Sequence, residues 1–187
     1  LMAMGNHDNR ENFQAVFPDA AILHGATLKD RKAAVVETEH ADWYLLDSCK
    51  MTGHTAGEFG GEQLAWLGER LNREPEKAAL LVAHHYPKSA GDDNGLEDTG
   101  AFLNVVGPRK QVKGYFFGHS HAWSLKQRED GLHLVNLPAN AWLFSESQPR
   151  GFVDAQLQAG GCVLTLHCLN RADKRQGEKH TLAWRTA

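Results

Sequence analysis

Three times along this chain a short apolar run stops at side chains that bind metals well. Leu1-Met2-Ala3-Met4 meets Gly5-Asn6-His7-Asp8, Ala78 to Ala83 meets His84-His85-Tyr86-Pro87, and Tyr115-Phe116-Phe117 meets Gly118-His119-Ser120-His121. Apolar runs of this length bounded by Gly or Pro read as buried strands. Sites of this kind sit where such strands run out, on backbone that the sheet holds rigid and glycine makes permissive.

The remaining segments place those strands in an alternating chain. Glu11 to Val16 reads as a short helix stopped by Phe17-Pro18, and Ala33 to Glu37 and Trp43 to Leu46 as strands. Met51 to Gly61 is loop, whereas Glu62 to Asn72 carries Leu64, Leu67 and Leu71 on one helical face. A buried strand at Ala79 to Ala83 precedes the turn chemistry of Gly91 to Gly95, then a helix over Leu96 to Val106 ended by Gly107-Pro108, then a strand at Val112 to Phe117. His133 to Leu137, Gly151 to Leu157 and Cys162 to Leu169 make the C-terminal third mainly β. Strand-helix-strand alternation followed by a run of strands implies an α/β layered sandwich in one domain, residues 1–187.

At 187 residues the chain can bury an ordinary core without disulfides or a structural metal. Cys49, Cys162 and Cys168 have no ligand-pair spacing and cannot all pair, which favours a reducing, cytoplasmic setting. A net charge of -3 with no basic stripe argues against long nucleic acid as a partner. No apolar stretch approaches the ~20 residues of a membrane span. Leu1 to Met4 reads as the inside of a strand, so an N-terminal truncation is expected.

Five of the eleven histidines fall in the three motifs, and imidazole is a good ligand for first-row transition metals. If Gly118 to His121 is extended, His119 and His121 point to the same side and could each serve one of two adjacent metals. His84 and His85 are neighbours, so on extended backbone they face opposite ways and only one is expected to be a direct ligand. Asn6 can offer an amide oxygen, and His7 with Asp8 suits an acid pair that protonates a leaving oxygen. Asp47 and His54 have no role fixed by spacing. His24, His40, His133, His167 and His180 read as structural or solvated, and Trp43, Trp66, Trp123, Trp142 and Trp184 as core or cleft wall rather than a base-stacking platform.

The order Gly-Asn-His-Asp, strand-His-His, Gly-His-x-His resembles the calcineurin-like metallophosphoesterase superfamily. Leu46-Asp47-Ser48, Gly60 to Leu67, Asn136-Leu137-Pro138-Ala139 and Gly151-Phe152-Val153 are similar to its branch of class III cyclic-nucleotide phosphodiesterases. The resemblance implies an α/β/β/α sandwich and two divalent or mixed-valence ions, Mn, Fe or Zn. Asn6, one of His84 and His85, and His119 would hold the second metal, with His84 preferred because it ends the strand. His121 would be a ligand of the first. His7 would meet the leaving oxygen, oriented by Asp8, while a metal-bridging hydroxide attacks a small phosphoester. Asp-x-His and Gly-Asp-x-x-Asp, which open members of the family, are absent. Their segment would supply central strands, and its loss would leave a sheet edge that invites a homo-oligomer. The expected activity is phosphodiester hydrolysis. A phosphomonoesterase, or an impaired fragment acting as a binding module, is the alternative.

Overall fold

A computed structural model describes residues 2–17, 26–28 and 31–186. Leu1, Pro18 and His24, all singled out by sequence, lie outside the described residues. A seven-stranded sheet has the order β1 (Ala26–Thr27), β2 (Lys32–Glu37), β3 (Asp42–Leu45), β4 (Ala79–Val82), β5 (Val112–Phe117), β7 (His133–Asn136), β6 (Ser124–Gln127). Strands β3, β4, β5 and β7 run parallel, while β1, β2 and β6 join antiparallel. A three-stranded antiparallel sheet follows, with β9 (Gly161–Cys168) between β8 (Gly151–Gln158) and β10 (Lys179–Ala183).

Two cores lie on opposite faces of the larger sheet. Ala79 and Leu81 of β4, with Val112, Tyr115 and Phe117 of β5, pack under α2 (Gly61–Arg73) and α3 (Thr99–Val106), where Leu64, Leu67, Leu71, Phe102 and Val106 meet them. Leu80 and Phe116 face the other way, onto Cys162, Leu164 and Leu182 of the smaller sheet. Burial on both faces is why these parallel strands read as continuous apolar runs. The result is the expected layered α/β sandwich, with a helical layer, a mixed sheet and an antiparallel sheet.

Several details of the structure differ from these expectations. Met2 to Gly5 belongs to no strand, because the Gly5 N–H donates to Asp8 Oδ2 (2.8 Å) and the Asp8 N–H to the Gly5 carbonyl, which closes a turn at once. Met4 is nevertheless buried. Helix α1 (Arg10–Val16) starts one residue early on an Asn9 cap that accepts from the Asn12 N–H. Helix α3 begins at Thr99 rather than Leu96, since Leu96 bridges to Gly57 and Pro87 and the Asp98 carboxylate accepts from the Phe59 and Gly60 N–H groups. Among the described residues no helix is long and apolar enough to cross a membrane. The three cysteines are free and buried.

Candidate metal centre

Parallel strands that all run one way deliver their C-terminal ends to one rim of the sheet, the usual location of a ligand crevice in α/β folds. Here β3 leads to Asp47 and Ser48, β4 to His84 and His85, and β5 to Gly118 through His121. The Gly118 N–H donates to the His84 carbonyl at 3.0 Å, so the two histidine motifs are tied by backbone before any side chain meets.

The His84 ring is the hub. Its Nε2 lies 3.1 Å from Asn6 Oδ1 and 3.0 Å from His119 Nδ1. Asn6 is 5% exposed, and its carbonyl accepts from the Gly53 N–H. Gly5 packs against the same ring, where a Cβ would stand 3.2 Å from two of its atoms. A side chain at position 5 would therefore push His84 off its partners.

His85 turns into the protein. It is fully buried, with Nδ1 2.8 Å from Ser48 Oγ and Nε2 3.1 Å from the Thr55 carbonyl. Because the carbonyl can only accept, Nε2 carries the proton and Ser48 donates its hydroxyl to Nδ1. Ser48 Oγ in turn accepts from the His85 N–H. Ser48 is held by a dense anchor. Asp47 accepts from Arg10 (2.7 Å), from the Lys32 N–H and from the Cys49 N–H, and Gln63 clasps the Asp47 backbone through both its amide atoms. Gly57 lets the chain pass over the ring, since a Cβ there would fall 2.3 Å from it. One ring nitrogen of each of His84, His85 and His119 lies within 4.8 Å of the others.

His119 and His121 are not extended. Both have positive φ, 65° and 52°, and the Ser120 N–H donates back to the Gly118 carbonyl. Left-handed backbone at a residue other than glycine is strained and tends to cluster at functional sites. The turn sends His119 to His84, whereas the His121 ring stacks on Phe144 at 4.3 Å and 10°. His121 Nδ1 is buried without a hydrogen-bond partner. His7 and Asp8 are exposed at the edge of the cluster. Asp8 Oδ2 holds the Gly5 turn, and the Asp8 carbonyl accepts from Thr52 Oγ1. His54 bonds through Nδ1 to the Ala56 carbonyl, which makes it a loop support.

The donors fit a divalent transition metal. An amide oxygen and two imidazole nitrogens converge from three distant stretches, and an orphaned imidazole nitrogen stands nearby, a buried polar atom that costs about 1–3 kcal/mol without a partner. Burial, reinforced by the neighbouring His119, lowers the His84 pKa to about 4, and burial with the adjacent His84 lowers that of His85 to about 3. Both rings are thus neutral at physiological pH, as metal ligation and hydrogen-bond acceptance require.

These shifts fix a pH dependence. Between about pH 6.5, where an unfolded histidine titrates, and pH 4 the unfolded chain holds more protons than the native one. Stability is therefore full above that window and is lost as pH falls through it. For the buried His85 the slope reaches about 1.4 kcal/mol per pH unit. Urea midpoints of the chelator-treated protein should fall steadily from pH 7 to pH 5. A flat profile would show that the two imidazoles are not held neutral.

A cavity of about 360 Å³ opens beside the cluster, lined by His84, His119 and His121 together with Leu137, Pro138 and Trp142. Ser48, Thr55, Gly57 and Phe144 were not foreseen as site residues. Only Ser48 carried a signal, its position directly after a strand.

The family model for calcineurin-like phosphoesterases matches residues 1–123. A 3',5'-cyclic adenosine monophosphate phosphodiesterase, CpdA, of Vibrio vulnificus is 30% identical over 167 residues, covering 87% of this chain and 57% of that protein. CpdA of Escherichia coli strain K12 is 32% identical over the same shares. The chain thus spans little more than half the length of these relatives. A dimetal phosphatase from Danio rerio superposes with a TM-score of 0.78 at 16% identity, covering 98% of this chain and 72% of that one, a likeness of fold.

Proposed function

Because the chain belongs to the calcineurin-like phosphoesterase family, we propose that its histidine cluster forms part of a metal-dependent phosphodiesterase centre. The observation that carries this is the meeting of Asn6 Oδ1 and His119 Nδ1 on His84 Nε2, at 3.1 and 3.0 Å, at the sheet rim. In this reading Asn6, His84 and His119 hold one ion, and the unpartnered nitrogen of His121 would be one ligand of the other, whose carboxylate ligands belong to the Asp-x-His and Gly-Asp-x-x-Asp motifs that this sequence lacks. When bound, two divalent or mixed-valence ions, Mn, Fe or Zn, supply charge that neutralises the phosphate and lowers the pKa of water. His85 takes no ion, because Ser48 and Thr55 engage both its nitrogens. It packs against His84 and His119, with ring centroids at 4.9 and 4.5 Å, and fixes their planes.

His7 sits at the solvent side of the cluster, close enough for its charge to act on His84 and His119. From there it donates a proton to the departing alkoxide, while Asp8 fixes the turn that presents it. Diesters are favoured because both CpdA relatives are named as phosphodiesterases acting on 3',5'-cyclic adenosine monophosphate. We place the protein in the cytoplasm, where three buried free thiols stay reduced. Pairing of a second copy at an exposed sheet edge, measurable by light scattering, would give a homo-oligomer.

The test is hydrolysis by Mn-loaded protein of cyclic nucleotides, bis(p-nitrophenyl) phosphate and p-nitrophenyl phosphate. Failure on both diesters would sink the reading, and a strong monoester preference would replace it with a phosphomonoesterase. The acid role has its own signature. His7→Ala should lower kcat on cyclic AMP by about 100-fold or more. Bis(p-nitrophenyl) phosphate should suffer much less, because p-nitrophenolate leaves without a proton. Equal losses on the two substrates would remove His7 from the acid role.

A further inference from the structure

The wall of the cavity facing the cluster is built of aromatic and small apolar residues. Trp142 is 71% exposed, lines the same cavity as His84, His119 and His121, and has no ring partner among the described residues. Phe144, also 71% exposed, has one face stacked on His121. Leu137, Pro138 and Ala141 complete the apolar side, and Asn140 is the one amide among them. A tryptophan left in water beside a polar cluster is unusual, since large apolar surface is normally buried. The cavity, at about 360 Å³, falls in the range of small-ligand sites, which pair apolar walls with a few polar groups.

Against the sequence expectation that the tryptophans form no base-stacking platform, we propose that Trp142 is a stacking platform for the nucleobase of a nucleotide phosphodiester whose phosphate lies at the histidine cluster, which makes it a specificity-determining residue for the proposed reaction. This rests on the phosphodiesterase reading above. The indole offers a flat π-face, which every base can use, and Asn140 can pair with a base edge. The Phe144–His121 stack ties the platform loop to the cluster, so base and phosphate are gripped from one rim.

Binding measured with Mn present separates this from the reading beneath it. AMP and ribose 5-phosphate share the phosphate and sugar and differ in the base. Wild-type protein should bind AMP more tightly and quench tryptophan fluorescence on doing so. Trp142→Ala should weaken AMP by about 5- to 100-fold and leave ribose 5-phosphate where it was, and Trp142→Phe should recover most of the loss. If Trp142→Ala weakens AMP no more than ribose 5-phosphate, the platform is overturned while the phosphate site stands. If the wild-type protein binds neither compound, the phosphoester reading and the platform fall together.

Discussion

His84→Ala should lower the affinity for Mn or Zn by more than about 100-fold, the upper end of what loss of a ligand's supporting partner costs. His84 Nε2 lies within hydrogen-bond distance of both Asn6 and His119, so its removal takes a donor and also leaves the other two without that common centre. His85→Ala gives the contrast. His85 spends its nitrogens on Ser48 and Thr55, so its loss should weaken the metal only about 10- to 100-fold, through loosened neighbours. Isothermal titration of both variants decides. If His85→Ala is the more damaging for metal at unchanged fold, the ligand assignment between these neighbours is reversed.

The second large effect lies far from the site. Arg185 is 7% exposed, and its guanidinium donates to the carbonyls of Val106, Arg109, Val112 and Asp130. It closes the C-terminus of α3, the start of β5 and the turn before β7 with one planar fork, a task for which Arg is shaped and Lys is not. Arg185→Ala takes a donor from all four carbonyls, but that of Arg109 keeps the Val112 N–H and that of Asp130 keeps Lys110 Nζ, so the loss, at about 1–3 kcal/mol for each acceptor left dry, should be roughly 3–5 kcal/mol. At about 2–4 °C per kcal/mol for a chain of this size, Tm should fall by about 10 °C. Arg185→Lys should recover only a part, because one ammonium cannot reach all four carbonyls. A loss below about 1 kcal/mol in calorimetry would mean the chain end is not a structural clamp.

How much of this could be read in the residues depends on burial. β4 and β5 are legible because both faces are covered, so nearly every residue from Ala79 to Ala83 and from Tyr115 to Phe117 is apolar. α2 is legible because Leu64, Leu67 and Leu71 recur at helical spacing. β6 and β10 were missed for the opposite reason. Ser-Leu-Lys-Gln lies half exposed on a sheet edge, and Lys179 to Ala183 buries only Leu182, so neither carries an apolar alternation. The convergence of Asn6, His84 and His119 was foreseen from motif order and family resemblance. The Ser48–His85 bond was not, since it joins residues 37 apart through a loop whose course is set by Asp47, Arg10 and Gln63. The bend at His119 and His121 is not legible, because nothing in Gly-His-Ser-His prescribes two left-handed residues.

That bend has a consequence for anyone improving the protein. Each left-handed histidine costs the fold on the order of 1–3 kcal/mol that glycine would spare. Heat resistance and the metal ligation proposed for His119 and His121 therefore pull these positions in opposite directions. A mutant library screened for survival at high temperature alone should drift towards glycine at these two codons, and its winners would be robust shells with an emptied centre.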